Sequence, residues 1–257
     1  MARRIGPSDI VDSKRLVECK FVNVYRVDEH TVAKLCPPAQ LVEAVAMQLV
    51  RSKTSVPVPR VYNAYVDDST SRGVILMEYI HGDVLTDVWD KLDPCQRANI
   101  ISQLRQFMNE LHAIKGNLIG AVGGTPCNNP MFCAELGGFG PYKTEEEFNN
   151  GIVRALQLSI SDTWVDRVGR MVKPIPSHEI VFSHADLSPQ NIIVRGDKVV
   201  ALLDWEMAGF YPAYWDYIKA LYRPDWQIGW IKDGVVEKVL KPYYLELAVF
   251  LHVQEFL

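Results

Sequence analysis

Between Ile180 and Gly209 the chain carries His184-Ala-Asp186-Leu-Ser-Pro-Gln-Asn191, two short apolar runs, and then Asp204-Trp205-Glu206. The runs Ile192 to Val194 and Val199 to Leu203 are β-branched and leucine-rich and flank Gly196-Asp197, which predicts a β-hairpin. In an antiparallel pair, the residue entering the first strand and the residue leaving the second come to the same end of the ribbon. Asn191 and Asp204 therefore meet, with Asp186 five residues before Asn191 on an irregular loop held by Pro189. Mg²⁺ takes oxygen ligands and is usually held by one or two protein groups plus substrate phosphates. Asn191 and Asp204 can supply that set. Asp186 is left as the carboxylate that orients an acceptor hydroxyl, which is the arrangement of kinase-type phosphoryl transfer. A buried polar hairpin with an Asx turn is the competing reading of the same residues.

The string His184-Ala-Asp186-Leu-Ser-Pro-Gln-Asn191 followed by Leu202-Leu203-Asp204-Trp205-Glu206 resembles the signature of the aminoglycoside phosphotransferase family, in a fungal-type form. That family includes choline-kinase-like small-molecule kinases and is related to the protein kinases. The resemblance implies an α+β, two-lobed protein-kinase-like fold with a small β-sheet N-lobe and a mostly helical C-lobe. It implies ATP and Mg²⁺ as cofactors and a small molecule as acceptor. The division expected is 1–80 for the N-lobe and 81–257 for the C-lobe, with the nucleotide between them.

Composition is consistent with such an enzyme. The 257 residues are 48% hydrophobic and 23% charged, enough for one large or two small cores. A formal net charge of −4 without a basic block argues against nucleic acid or an anionic membrane as partner. Cys19, Cys36, Cys95, Cys127 and Cys133 are scattered, odd in number and without Cys-x-x-Cys spacing, which favours reduced thiols. With no apolar run after the N-terminal Met-Ala-Arg-Arg and no membrane-length window, a cytoplasmic location is expected.

Along the chain, Phe21 to Val27 and Thr31 to Leu35 alternate around Asp28-Glu29-His30 and predict a first hairpin. In the resembled family this second strand carries the lysine that contacts the α- and β-phosphates, and Lys34 holds that place. A solvated lysine at a strand end is the plain alternative. Ala39 to Arg51 has helical apolar spacing at Leu41, Val45 and Leu49 and at Val42, Ala46 and Val50, with Glu43 as its only carboxylate. Glu43 is either the partner of Lys34 or a solvated first-turn acid favoured by the helix dipole. No glycine lies between Leu16 and Tyr25, so a Gly-rich phosphate flap is missing, and Asn23 with the amides around Phe21 is expected to serve instead.

Arg72 to Ile80 reads as a buried strand that stops at Gly82. The resemblance places backbone groups of Glu78, Tyr79 and Ile80 along the adenine edge. Asp93-Pro94 is an N-cap and first-turn proline opening a core helix with Ile100, Leu104, Phe107 and Leu111 on one face, and His112 is read as packed or capping. Gly116 to Gly140 is a long Gly/Pro/Asn-rich loop, and Thr144 to Glu147 is a capping box whose acidic first turn is read as solvated, with attraction of a cationic acceptor as the alternative. Asp216 resembles the family's buried acid that braces the catalytic loop, and Glu206 is read as within reach of a second metal. Trp226, Trp230, Tyr243 and Tyr244 either fill core or hold an amine by cation–π contact. The activity expected is transfer of the γ-phosphoryl of ATP to a hydroxyl of an amino alcohol, aminoglycoside, sugar or secondary metabolite. A pseudokinase or regulatory nucleotide-binding scaffold is the alternative.

Overall fold

The computed structural model describes residues 4–6, 9–10, 14–18, 22–127, 140–159, 163–222 and 228–255. Cys19, Phe21, Trp226 and residues 128–139 of the expected long loop, Cys133 among them, lie outside them.

The first sheet runs in the order β1-β2-β3-β5-β4. Its strands are β1 (Arg15–Glu18), β2 (Asn23–Arg26) and β3 (Thr31–Cys36), then, after helix α1 (Val42–Lys53), β4 (Val61–Val66) and β5 (Gly73–Glu78). All pairings are antiparallel, and β1 adds an edge to the hairpin expected from β2 and β3. β3 lies between β2 and β5 and is buried along its whole length, so Lys34, opposite Ile75, enters a dry layer. In α1 the buried stripe is Glu43, Ala46, Met47 and Val50, while Val45, expected to face inward, is 47% exposed. The helix is turned so that its carboxylate, rather than Val45, points at the sheet. β5 ends at Glu78 instead of running to Gly82, although the Tyr79 N–H continues the ladder by donating to the His30 carbonyl.

The second half carries β6 (Asp83–Val84), α2 (Leu85–Val88), α3 (Pro94–Ala113), β7 (Gly120–Ala121), α4 (Glu145–Ser159), α5 (Thr163–Val172) and β8 (Ile180–Ser183). The hairpin β9 (Ile192–Arg195) and β10 (Lys198–Leu202) follows, then β11 (Gly209–Pro212), α6 (Trp215–Ala220), α7 (Gly229–Lys232), α8 (Val235–Val239) and α9 (Tyr244–Val253). Two small sheets, β10-β9-β6 and β7-β11-β8, hold the loops on either side of the hairpin. The α3 N-terminus is a full capping box, with Asp93 accepting from the Gln96 N–H at 2.9 Å and Gln96 answering at 3.0 Å. One buried cluster runs from Val32 and Met47 through Leu104 and Phe182 to Trp205 and Trp215 and joins the two lobes, while a second, smaller one with Tyr25, Leu35, Tyr65 and Leu76 lies on the first sheet.

The first turn of α4 departs from expectation. Glu146 and Glu147 are exposed, but Glu145 is 5% exposed and accepts from His178 through both the backbone N–H and Nδ1. His178 is also 3.4 Å from Glu246 of α9. The box itself is partial: Thr144 accepts from the Glu147 N–H, while the Glu147 carboxylate takes the Lys143 N–H. Trp230 is core, edge-on to Trp89 at 5.5 Å, whereas Tyr244 is 65% exposed. Cys36, Cys95 and Cys127 are free thiols. Among the described residues no helix is long and apolar enough to cross a membrane.

β11 reaches its neighbours only because position 209 lacks a side chain. A Cβ at Gly209 would sit 2.5 Å from the Gly120 carbonyl oxygen and 3.1 Å from the Ala121 Cα, both backbone atoms. Gly209→Ala is expected to lower stability by about 1–3 kcal/mol through overpacking. Urea unfolding checks this, and an unchanged midpoint contradicts the close approach.

Candidate active site

The hairpin brings its two ends together as its register requires. Leu202 pairs with Ile192, and the Leu203 N–H donates to the Asn191 carbonyl at 2.8 Å, so the residues just outside the ladder are neighbours. Asn191 closes a short 3-10 turn begun by Pro189, and its Nδ2 donates to both the backbone carbonyl and Oδ2 of Asp186, at 3.0 and 2.8 Å. The Asn191 Oδ1 is thereby turned away from Asp186. Asp204 has φ 63, a left-handed conformation that aspartate tolerates better than most residues. That bend redirects the chain after β10 and sends the Asp204 side chain back toward the first sheet.

There it meets Lys34. The ammonium lies 2.7 Å from Glu43 of α1, 2.8 Å from Asp204 and 3.4 Å from Glu206. The Lys34 and Glu43 side chains are 6% and 2% exposed, Glu206 18%, and Asp204 38%, so the cluster opens toward solvent through Asp204. Burial alone would lower the Lys34 pKa, but the summed attraction of Glu43, Asp204 and Glu206 overrides it and holds the lysine firmly protonated. Burial pushes Glu43 up to about 7 against the pull of Lys34, and Glu206 is raised for the same reason. Glu43, Asp204 and Glu206 are close enough together to form a ligand set, but Lys34 touches all three of them. Glu206, expected near a second metal, is therefore a third partner of the lysine.

The loop that carries Asp186 is braced by buried polar groups. His184 is fully buried; its Nε2 sits 3.0 Å from the Leu203 carbonyl and its Nδ1 3.2 Å from the Asp186 N–H. A carbonyl can only accept and an N–H can only donate, so the proton belongs on Nε2 and the ring ties the loop to the hairpin. Ala185 has φ 64, a strained conformation for a residue with a Cβ, costing roughly 1–2 kcal/mol. It is held there by Asp216, whose Oδ1 accepts the Ala185 N–H at 2.7 Å. The other oxygen of Asp216 meets His112 Nε2 at 2.8 Å, so His112, read as packed or capping, orients the brace.

In the segment expected along adenine, the Glu78 and Tyr79 N–H groups are already engaged, by the Arg60 and His30 carbonyls at 2.9 and 2.8 Å. Sequence reasoning missed the Glu206 contact and also Lys219, a lysine of α6 that is 6% exposed and electrostatically coupled to Asp186. Its place three residues after Asp216 was the available signal.

A sheet lysine paired with a helix glutamate, an Asp-x4-Asn loop and an aspartate after the following hairpin, set between a β-sheet lobe and a helical lobe, define a protein-kinase-like phosphotransferase fold. Residues 19–243 match the phosphotransferase enzyme family, and the chain belongs to that family. Among solved structures, a thermostable mutant of aminoglycoside phosphotransferase APH(4)-Ia in apo form is similar over 94% of this chain and 84% of that one, at 16% identity and TM-score 0.66. A ternary complex of a further variant of that thermostable enzyme with AMP-PNP and hygromycin B aligns over 94% and 82%, at 17% identity and TM-score 0.64. The streptomycin–ATP–APH(2")-IIa ternary complex aligns over 94% and 79%, at 16% identity and TM-score 0.60. No curated protein sequence matches.

Removing the cation should expose the cost of the buried acids. Breaking a buried pair by deleting one partner costs about 3–5 kcal/mol. In Lys34→Met, Glu43 loses the attraction that opposes burial, so its pKa rises further above the ordinary 4.5. A carboxyl raised in the folded state stabilises it below the unfolded value and loses that contribution as pH climbs through the folded value. The stability deficit of Lys34→Met against the parent should therefore widen from pH 5 to pH 8. Thermal melts across that range check it, and a constant deficit contradicts it.

Proposed function

We propose that this protein transfers the γ-phosphoryl group of ATP to a hydroxyl of a small molecule, with Asp186 as the residue that orients the hydroxyl and receives its proton. The observation that carries the reading is the three-sided grip of Glu43, Asp204 and Glu206 on Lys34. Phosphoryl transfer passes through a loose transition state, so catalysis rests on positioning and charge compensation more than on activating the nucleophile. Lys34 would neutralise the α- and β-phosphates while Glu43 keeps its ammonium aimed. Adenine would lie against the segment Glu78, Tyr79 and Ile80. Since the Glu78 and Tyr79 amides are spent on Arg60 and His30, the Ile80 amide and the carbonyls of the segment are the groups left to read its edge.

The site fits a divalent cation on two counts. Asn191 Oδ1 and the second Asp204 oxygen are hard oxygen donors at one end of the hairpin, and both are outside the hydrogen bonds that hold the loop. Around Lys34 the carboxylates also outnumber the cation three to one. Asn191 and Asp204 would hold Mg²⁺, which when bound neutralises charge on the β- and γ-phosphates. His184 and Asp216 take no part in proton chemistry; they fix the loop so that Asp186 faces the acceptor. The acceptor class that follows is a small-molecule alcohol.

Two variants test it. Asp186→Asn should lower kcat by at least about 100-fold while the affinity for ATP stays within a few-fold, because a general base contributes about that much. Asp204→Ala should abolish Mg²⁺-dependent nucleotide binding in calorimetry. Turnover of MgATP, with water or an amino-alcohol and sugar panel as acceptor, is the readout. Equal turnover in Asp186→Asn contradicts the assignment, and Mg²⁺-dependent binding without any turnover favours the nucleotide-binding scaffold.

A further inference from the structure

Transfer moves negative charge away from the nucleotide, so the acceptor side of the reacting phosphorus needs a cation of its own. Lys34 is committed to Glu43, Asp204 and Glu206. Between Asp186 and Asn191 the loop offers Leu187, Ser188, Pro189 and Gln190, none of them cationic. Ser188 carries an Oγ that is buried and without a hydrogen-bond partner among the described residues. A positive charge beside Asp186 has to come from another element.

α6 supplies one. Asp216 in its first turn docks the helix to the loop through the Ala185 N–H, next to Asp186. Residues three apart share a helix face, so Lys219 rises from the side that carries the dock. Its ammonium lies 4.6 Å over the Tyr222 ring, the residue is 6% exposed, and Asp186 acts on it electrostatically. Lysine is almost never fully buried unless its charge is paired, since desolvating an ammonium is expensive. Burial brings this lysine down to about 8 while Asp186 pulls the other way, so it stays mostly protonated at neutral pH.

We infer that Lys219 is a further catalytic residue, a cation on the acceptor side of Asp186 that contacts the transferring phosphoryl group. The inference rests on the phosphoryl-transfer reading above and adds a residue to it. In the step, the acceptor oxygen forms a bond to the γ-phosphorus, the bond from that phosphorus to the bridging oxygen breaks, and ADP leaves with the electron pair. The hydroxyl proton goes to Asp186. Lys219 donates hydrogen bonds to the equatorial oxygens and keeps its own proton throughout.

The test compares the unsubstituted protein, Lys219→Met and Lys219→Arg. MgATP hydrolysis gives kcat and KM, and calorimetry gives MgADP affinity with and without aluminium fluoride, a mimic of the transferring phosphoryl. Methionine keeps the unbranched stem and removes the buried charge, so the variant should fold. Lys219→Met is expected to lose about 100-fold in kcat with the KM for ATP within about threefold. Aluminium fluoride should tighten MgADP binding to the unsubstituted protein at least about tenfold and should no longer do so in the variant. Lys219→Arg should recover part of both. Tightening retained in Lys219→Met, or a kcat within threefold of the parent, overturns the assignment and leaves the phosphoryl-transfer reading standing. Absence of MgADP binding in the unsubstituted protein overturns both together.

Discussion

One ammonium joins the two halves of this molecule. Lys34 leaves the central strand of the first sheet, and its partners come from α1 and from the segment after the β9–β10 hairpin. Three carboxylates converging in a mostly dry space would repel one another strongly without a cation between them. The lysine makes the arrangement possible, but it does not neutralise it. The excess of negative charge favours a second cation at Asp204, the most exposed member. On the proposed function, that is the charge which the metal accompanying a triphosphate would meet.

Around that junction the protein uses strain and burial to aim small groups. Ala185 and Asp204 both take left-handed backbone conformations that neither side chain favours intrinsically. Each is fixed from outside: Ala185 by Asp216 and through it by His112, and Asp204 by its grip on Lys34. His184, tilted against Trp205 at 4.4 Å, ties the loop to the hairpin with both ring nitrogens. Asp186 thus owes its orientation to a chain of buried polar contacts, each satisfied at both ends.

The hairpin is legible in the sequence because alternation, a Gly-Asp turn and polar end residues all point to the same local structure. Lys34 and Glu43 are legible as a pair through the resemblance, while helix periodicity alone places Val45 inward where the structure has Glu43. The reason is energetic: a carboxylate with a cation waiting gains more from that face than a valine does. Glu206 reads from sequence as a metal neighbour because its turn toward Lys34 depends on the Asp204 bend, which no pattern encodes. Glu145 looks like a solvated first-turn acid, since its partner His178 lies 33 residues away in the chain, and Glu246, the second acid on that histidine, about 100. Lys219 carries only the signal of its place three residues after Asp216, because its neighbourhood to Asp186 exists only once α6 docks.

The most direct measurement is calorimetric titration of AMP-PNP at pH 7, with and without Mg²⁺, in two buffers of different ionisation enthalpy. If the excess carboxylates await a divalent ion, Mg²⁺ should tighten binding by at least about tenfold, or about 1.4 kcal/mol. Protons should also be released, because burial holds Glu43 and Glu206 above the ordinary carboxyl range and the arriving charge draws them down. Affinity indifferent to Mg²⁺, with enthalpies identical in both buffers, would contradict this picture of the cleft.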